Sequence, residues 1–210
     1  MRALVFANGE LPSRKLLAEL RAGAELVVGA DGGADAALSA GVVVDMVVGD
    51  LDSLSAAGRA RLGEARVHLD ADPECTDLQK AIAFCIGRGC LDVDVVAAGG
   101  GRADHALANL SVLPLFRGRA RIRIIDDRFE VTLVEGTALV EGPPGTVVSL
   151  VAIGECGGVT TQGLRWDLAG ERLSFSPRGV HNEIARTPAT VTVEEGDLLL
   201  FRGRWVEKHG

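Results

Sequence analysis

The N-terminal half of the chain alternates short apolar runs with segments of helical periodicity. The apolar runs, which we predict to be buried strands, span residues 3–8, 25–30, 42–49 and 92–99. The predicted helices between them span residues 13–22, 34–40, 54–62 and 77–87. Strands that alternate with helices form a parallel sheet that is covered on both faces. We therefore expect an α/β domain, whose sheet is closed by the run at residues 121–126.

The pattern changes after about Phe116, where helical periodicity stops. Short β-rich runs separated by glycine and proline follow, as is typical of antiparallel strands in a sandwich. We place the division near residue 128. The sequence thus predicts an α/β domain over residues 1–128 and an all-β domain with sandwich-like strand spacing over residues 129–210.

Composition narrows the class of protein. The 210 residues are 47% hydrophobic, which is enough for a sizeable core. A net charge of −7, with no run of basic residues, argues against a nucleic-acid surface. The cysteines Cys75, Cys85, Cys90 and Cys156 lack zinc-ligand spacing, and no signal peptide precedes them, so we expect reduced, buried thiols and a cytoplasmic protein. The apolar runs are too short for a membrane span.

The apolar run at residues 42–49 ends at two aspartates, Asp50 and Asp52, with one residue between them. If the strand continued, alternation would place both side chains on one side, roughly 6 to 7 Å apart along the backbone. At a separation of about 5 Å and an effective dielectric constant of about 20, their repulsion is about 3 kcal/mol. The pair therefore predicts a cation nearby.

Further acids follow the other predicted strands. The candidates for one acidic cluster are Asp31, Asp50, Asp52, Glu74, Asp77 and Asp104. Taken singly, Asp31, Asp52 and Asp77 also fit helix caps or first helical turns. However, the carboxyl ends of parallel strands open onto one crevice, and several acids there favour a hard cation such as Mg²⁺. Since Mg²⁺ is commonly shared with substrate phosphates, phosphoryl or pyrophosphoryl transfer is the leading chemistry.

Glycine-rich turns offer a place for the phosphates. Neither a P-loop nor a dinucleotide fingerprint occurs, but "GADGGA" and "GGGRADH" place glycines where strands lead into helices. Arg102 fits a phosphate clamp and an ordinary ion pair with Asp104 equally well. His105 and Asn109 also fit helix positions without a chemical role.

These motifs, taken in order, resemble the thiamine pyrophosphokinase family. The resemblance runs from about Asn8 to Phe201 and rests on "ADGGAD", "VVGDLDS", "ECTDLQKA", "GGGRADHALANL", "GLRWDL" and "SPRGVHNE". It implies an α/β/α N-terminal domain with a mostly parallel, Rossmann-like sheet that binds ATP and Mg²⁺, and a β-sandwich that binds thiamine. It also implies a homodimer with sites shared between subunits, and transfer of a pyrophosphoryl group from ATP to the thiamine hydroxyl with release of AMP.

The resemblance assigns roles to individual residues. The implied catalytic residues are Asp31, Asp50, Asp52, Asp77 and Asp104, and the implied metal ligands are Asp50, Asp52, Glu74 and Asp77. The ATP-binding residues would be Asn8, Gly32, Gly33, Gly100, Arg102, Asp104 and His105. Among the candidate thiamine-binding residues, Ser176, Arg178, His181 and Asn182 lie in the motif "SPRGVHNE". Because thiamine is a flat cation, Trp166 and Phe201 are candidates for its aromatic contact, although each fits the core of the sandwich equally well. Two positions depart from the family pattern, since Glu74 stands where Asp is usual and His181 where Ser is usual.

Two other functions fit the same acidic motifs. One is a pyrophosphokinase for another hydroxymethylated heterocycle, such as a pterin, which the β half of the chain would distinguish. The other is a regulatory module that holds Mg-nucleotide without turnover. The near-complete set of acids favours the enzyme over the regulatory module.

Overall fold

The computed structural model describes residues 1–206, which fall into two compact units, Met1–Asp127 and Arg128–Gly210, the second described up to Val206. The N-terminal unit is α/β and the C-terminal unit is β-rich. Within residues 1–206, no helix combines the length and the apolar character that crossing a membrane requires.

The N-terminal unit is built on a parallel sheet. Residues 1–127 contain the strands β1 (Arg2–Phe6), β2 (Leu26–Ala30), β3 (Met46–Gly49), β4 (Val67–Leu69), β5 (Asp92–Val96) and β6 (Arg121–Ile125). Their order is β4-β3-β2-β1-β5-β6, and each neighbouring pair is parallel. The chain moves outward from β1 to β4 and then returns to add β5 and β6 on the other side. The order therefore reverses between β1 and β5, which is where such sheets open a ligand crevice.

Five α-helices accompany this sheet within residues 1–127. They are α1 (Arg14–Ala22), α2 (Gly33–Ser39), α3 (Ala56–Leu62), α4 (Asp77–Gly87) and α5 (Ala103–Leu115), and a 3-10 turn spans Glu64–Arg66. The strands are buried as predicted: the side chains of Leu4, Phe6, Val27 and Val47 are fully inaccessible to solvent. These residues form one core cluster with α1 and α2, so the apolar runs become strands because helices cover them.

Two details of this sheet differ from the prediction. β3 begins at Met46, not Val42. Gly41 turns the chain at φ 78°, and Asp45 then bonds β2 through its backbone and its side chain, with Val27 N–H donating to Asp45 Oδ2 at 2.9 Å. The short strand β4 was not predicted, because its three residues are largely exposed and give no apolar run.

The C-terminal unit is antiparallel. Residues 128–206 contain β7 (Phe129–Leu133), β8 (Thr137–Val140), β9 (Thr146–Gln162), β10 (Glu171–Ser174), β11 (Asn182–Glu183), β12 (Ala189–Thr192) and β13 (Glu195–Val206), and no helix. The order is β7-β13-β9-β12-β8, while β10 and β11 also pair with β9. Leu150, Val159, Leu173 and Leu198 lie in its core.

Strand β9 joins two runs that the sequence pattern separates. Its first part pairs with β13 and its last residues pair with β12. Gly154 (φ 81°) and Gly158 (φ 64°) adopt the left-handed conformation in between. The glycines thus redirect one long strand instead of ending it.

Candidate active site

Three of the candidate acids meet at the edge of the N-terminal sheet. Asp31 follows β2, Asp50 follows β3, and Asp77 is the first residue of α4. One carboxylate oxygen from each lies within 4.8 Å of the others. Asp52 and Glu74 are not part of this group. We call Asp31, Asp50 and Asp77 the acidic cluster.

The backbone around Gly49 explains how the cluster forms. A Cβ atom at Gly49 would lie 2.8 Å from Asp77 Oδ1 and 2.9 Å from Asp31 Cβ, so only glycine lets these two side chains approach. β3 ends there, and Leu51 turns the chain at φ 69°. Asp50 and Asp52 therefore do not alternate along a strand, contrary to our expectation. The Asp52 N–H instead donates to Asp50 Oδ1 at 3.2 Å, and Asp52 Oδ1 accepts from Ser53 Oγ at 2.9 Å.

Asp31 is the buried member of the cluster, with 2% of its surface exposed. Its Oδ2 accepts a hydrogen bond from Ser53 N–H at 2.9 Å, whereas its buried Oδ1 has no partner. Burial raises the pKa of this carboxyl, and the charges of Asp77, Asp52 and Asp50 add to the increase, although the Ser53 hydrogen bond opposes it. An unpartnered buried oxygen is costly, so this site favours a ligand that can bind it.

None of the aspartates that fitted helix caps is one. Gly32 occupies the N-cap of α2. Ser55 caps α3 by accepting from Gly58 N–H at 2.9 Å. Thr76 caps α4 by accepting from Gln79 N–H at 3.3 Å. Capping therefore does not account for the positions of Asp31 or Asp52, whereas Asp77 does lie in the first turn of α4, as the alternative allowed.

A lysine that the sequence did not single out contacts the cluster. The Lys80 Nζ lies 3.4 Å from Asp77 Oδ1, and the Lys80 side chain is only 3% exposed. Lys80 lies one helical turn after Asp77 on α4, a spacing at which side chains meet. This spacing is the feature of the sequence that could have predicted the contact between Lys80 and Asp77.

The cluster fits a hard divalent cation. Its donors are carboxylate oxygens without histidine or thiolate, which suits Mg²⁺. The orphaned Asp31 Oδ1 lacks the partner that a metal ion would supply. Glu74, by contrast, is exposed on the loop before α4, where its N–H donates to Asp72 Oδ1 at 2.9 Å.

A cleft of about 580 Å³ includes two members of the cluster, Asp31 and Asp77. It lies at the point where the strand order reverses, since residues following β1 and β5 line it. Of the predicted ATP-binding residues, it is lined by Asn8, Gly32, Gly100, Arg102 and His105.

Two residues beside the cleft have structural contacts. Gly33 allows α2 to approach β1, because a Cβ there would lie 2.0 Å from the Phe6 carbonyl oxygen. Asn109 also lines the cleft, and its Nδ2 donates to the Ala98 carbonyl oxygen at 2.8 Å. This bond ties α5 to the turn that follows β5.

Arg102 and Asp104 form an ion pair. The Arg102 Nη2 donates to Asp104 Oδ2 at 2.6 Å and the Nε to Oδ1 at 3.1 Å. This hydrogen bonding lowers the pKa of Asp104 to about 2. Because both side chains are mostly exposed, opening the pair costs little, and Arg102 can turn toward the cleft that it lines.

In the β-rich unit, Asn182 holds the main chain around Trp166. Its Oδ1 accepts from Trp166 N–H at 3.2 Å and from Glu183 N–H at 2.9 Å, and its Nδ2 donates to the Trp166 carbonyl oxygen at 2.7 Å. Trp166 itself is 56% exposed, and the Arg165 guanidinium lies 4.9 Å from its ring centre. The amide of Asn182 thus orients an exposed aromatic side chain.

Most of the other predicted thiamine-binding residues contact neighbouring residues of the β-rich unit. Phe201 packs edge-on against Phe129, with 5.9 Å between ring centres. Arg178 pairs with Glu171. His181 adopts φ 63°, and its N–H donates to Ser149 Oγ at 2.9 Å. Ser176 is half-buried in the same loop.

The chain matches two protein-family models in sequence order. Residues 17–125 match the thiamin pyrophosphokinase catalytic domain, and residues 137–198 match the thiamin pyrophosphokinase vitamin B1 binding domain. Together the two matches span most of both structural units.

Named relatives give the same result. The chain is 29% identical over 170 residues to thiamine pyrophosphokinase 3 of Oryza sativa subsp. japonica, a match covering 73% of the chain and 62% of that protein. It therefore spans less than two thirds of this relative's length. Identity to the thiamine pyrophosphokinase of Bacillus subtilis (strain 168) is 25% over 195 residues, or 84% of the chain and 86% of that protein.

A solved structure has the same fold. The crystal structure of thiamine pyrophosphokinase from Bacillus subtilis superposes with a TM-score of 0.81 at 22% identity, covering 97% of this chain and 99% of that one.

Proposed function

The chain belongs to the thiamin pyrophosphokinase family, and we propose that it transfers a pyrophosphoryl group from ATP to the hydroxyl group of thiamine. In this reaction the thiamine oxygen bonds to the β-phosphorus, the bond between the β-phosphorus and the oxygen bridging to the α-phosphorus breaks, and AMP leaves. The hydroxyl proton passes to a base. The products are thiamine diphosphate and AMP.

The observation that carries this proposal is the acidic cluster beside the cleft, in a chain that matches both family domains. An oxygen-only cluster and an orphaned buried carboxylate oxygen support a role for the cluster in binding Mg²⁺. A bound Mg²⁺ would neutralise negative charge on the triphosphate. Asp52 and Glu74, which we also predict to bind metal, would act from outside the three-residue cluster.

The residues lining the cleft would bind and orient ATP. Asn8 offers a side-chain amide, Gly32 and Gly100 offer backbone groups, and Arg102 offers a guanidinium to the phosphates. Most of the rate enhancement in such transfers comes from positioning and electrostatics. Asp104 is the weakest candidate for the general base, because its pKa of about 2 makes it a poor proton acceptor.

The β-rich unit would bind thiamine, and we propose that it is a β-sandwich domain. An exposed aromatic side chain such as Trp166 offers a face to a flat, cationic heterocycle. This unit distinguishes the proposal from a pterin pyrophosphokinase, because residues 137–198 match the vitamin B1 binding domain.

The reaction products provide the decisive test. The purified protein is incubated with Mg-ATP and thiamine, and the mixture is followed by phosphorus NMR. We expect AMP and a diphosphate ester in equal amounts. ADP formed in step with the product would indicate an ordinary kinase and would contradict the proposal.

We further propose a cytoplasmic homodimer with sites shared between subunits. The thiol form of Cys75, Cys85, Cys90 and Cys156 supports a reducing compartment. Light scattering should give twice the 21.9 kDa mass of the chain. Two impaired variants, Asp50→Asn and Trp166→Ala, should together give more activity after verified subunit exchange than either gives alone, if sites are shared.

A further inference from the structure

Lys80 is an unusual residue in this structure because its charge is buried. Only 5% of its surface is exposed, and among residues 1–206 no other lysine or arginine is buried. Its neighbours on α4, Leu78, Ala81 and Ile82, are buried and apolar. Burying an ammonium group costs free energy unless it is paired with an opposite charge, so the partner of Lys80 determines what its charge does.

That partner is the acidic cluster. The Lys80 Nζ lies 3.4 Å from Asp77 Oδ1, an atom that also accepts the Asp50 N–H at 3.4 Å. At this separation and an effective dielectric constant of about 20, attraction between ammonium and carboxylate is roughly eight times the thermal energy. Lys80 therefore restrains Asp77 strongly, and Asp77 in turn contacts the loop that carries Asp50.

The Lys80 side chain is buried behind Asp77. Asp77 and Leu78 line the cleft, whereas Lys80 does not. The effect of Lys80 on a bound substrate is therefore expected to pass through Asp77, its partner. A buried charge that acts through a neighbouring carboxylate differs from a surface lysine that binds phosphate.

We propose that Lys80 is a positioning residue that holds Asp77 in place and acts as a permanent counter-charge within the acidic cluster. The contribution of Lys80 to catalysis depends on the proposed function being correct. Three ionised carboxylates with one buried ammonium have a formal charge of −2. A single divalent cation would neutralise that charge, whereas without Lys80 the same cation would leave one carboxylate uncompensated.

A double-mutant cycle in metal-free buffer tests this role. The variants are Lys80→Met, which keeps the apolar stem and removes the charge, Asp77→Asn, and the double variant, each melted in EDTA. Breaking a buried ion pair should lower the melting midpoint of Lys80→Met by roughly 10 °C. The same substitution in the Asp77→Asn background should cost less than half as much, because no unpaired carboxylate remains. Lys15→Met, which removes an exposed lysine, is the matched control and should melt like the wild type.

A second measurement uses Mg²⁺ alone, without substrates. Because the ion replaces the missing positive charge, it should raise the midpoint of Lys80→Met more than that of the wild type or Lys15→Met. Equal shifts in all three proteins would overturn the counter-charge role.

Each remaining outcome of the double-mutant cycle either supports or overturns the proposed role of Lys80. Additive effects of the two substitutions would show that Lys80 contributes only packing, and the proposal would fail. If Lys80→Met does not fold but the double variant does, the coupling is demonstrated; if neither folds, packing dominates and the proposal fails. None of these readouts requires turnover, so a protein without pyrophosphokinase activity would refute the proposed function and leave this test intact.

Discussion

The two units differ in how completely hydrogen bonds satisfy their proposed functional side chains. In the N-terminal unit, three carboxylates crowd together, and a buried oxygen of Asp31 has no hydrogen-bond partner. In the β-rich unit, Asn182 bonds the main chain of Trp166, and Arg178 pairs with Glu171. Crowded carboxylates with an unsatisfied oxygen therefore mark the place where we propose that a cation and phosphates bind. Satisfied hydrogen bonds hold in shape the surface that we propose binds thiamine.

This difference has opposite consequences for stability. A site with crowded charges reduces the stability of the ligand-free protein, so removing one charge should stabilise the fold while removing function. A satisfied network contributes to its own unit, so breaking it should loosen local structure. Substitutions in the two units can therefore separate the two kinds of site.

The largest effect is expected at the acidic cluster. Asp50→Asn keeps the oxygen that accepts the Asp52 N–H and removes only the charge. Loss of one group that counters charge on the reacting phosphates should lower kcat/KM by roughly 10² to 10³-fold. Steady-state assays with Mg-ATP and thiamine measure this. Because Asp50 is exposed, the melting midpoint should rise only slightly.

Glu64→Gln is the matched control for that variant. It also removes one negative charge from the N-terminal unit, but Glu64 lies on the surface, paired with Arg59. Its activity should equal that of the wild type. Near-normal turnover of Asp50→Asn would remove the acidic cluster from the proposed chemistry.

The next effect concerns two buried aspartates with opposite surroundings. Asp31→Asn removes a charge from a site where burial and neighbouring acids raise the pKa, and it should raise the midpoint in EDTA by roughly 3 to 8 °C. Asp94→Asn breaks a satisfied pair, because Arg123 donates to both Asp94 oxygens at 2.7 and 2.9 Å. It should lower the midpoint by roughly 6 to 15 °C.

Scanning calorimetry in one buffer measures the shifts in melting midpoint of both variants. A fall in the midpoint of Asp31→Asn would show that the Asp31 carboxylate stabilises the ligand-free fold. The distinction between a crowded site and a satisfied site would then be wrong.

A smaller effect is expected in the β-rich unit. Asn182→Ala removes the three hydrogen bonds that the amide makes to the main chain at Trp166 and Glu183. If thiamine contacts the indole, kcat/KM for thiamine should fall by roughly ten-fold, since one satisfied contact is worth about 1 to 1.5 kcal/mol. The effect should vanish when Trp166 is already alanine, because Asn182 then has no indole to orient.

Fluorescence anisotropy of Trp166, measured in a Trp205→Phe background, reports the same loosening without any substrate. Gln162→Ala, which removes an exposed amide from the end of β9, should change neither readout. Equal losses from Asn182→Ala with and without Trp166 would show that Asn182 acts on thiamine directly.

Much of the N-terminal fold follows from local sequence signals. The apolar runs that become β1, β2 and β5 are covered by helices, and the cap at Thr76 identifies the start of α4. The start of β3 was not predictable from apolarity, because it depends on bonds between Asp45 and β2. Likewise, the continuity of β9 depends on pairing with β12 and β13, which glycines within the run conceal.

The sequence predicts where the candidate site lies, but not which residues form it. Acids at successive strand ends indicated convergence, whereas the selection of Asp31 over Asp52 depends on the left-handed turn at Leu51 and on burial. Lys80 was missed, because its spacing from Asp77 is visible in the sequence but its burial is not. The bonds of Asn182 to Trp166 join residues sixteen positions apart, and no local pattern reveals them.

The smallest expected effect is on the shape of the pH–rate profile. Hydrogen bonding from Arg102 lowers the pKa of Asp104 to about 2, so this carboxylate keeps its charge at every pH above that value and loses it only as the pH falls through about 2. Any acid limb of kcat/KM between about pH 5 and 8 must then report another group. Asp104→Asn should therefore leave the midpoint of that limb unchanged, whatever it does to the rate. Arg102→Gln should also leave it unchanged, because an unpaired aspartate titrates near pH 4, still below the limb. A limb that disappears in Asp104→Asn would identify Asp104 as the titrating base and would mean that its ion pair with Arg102 opens in the working enzyme.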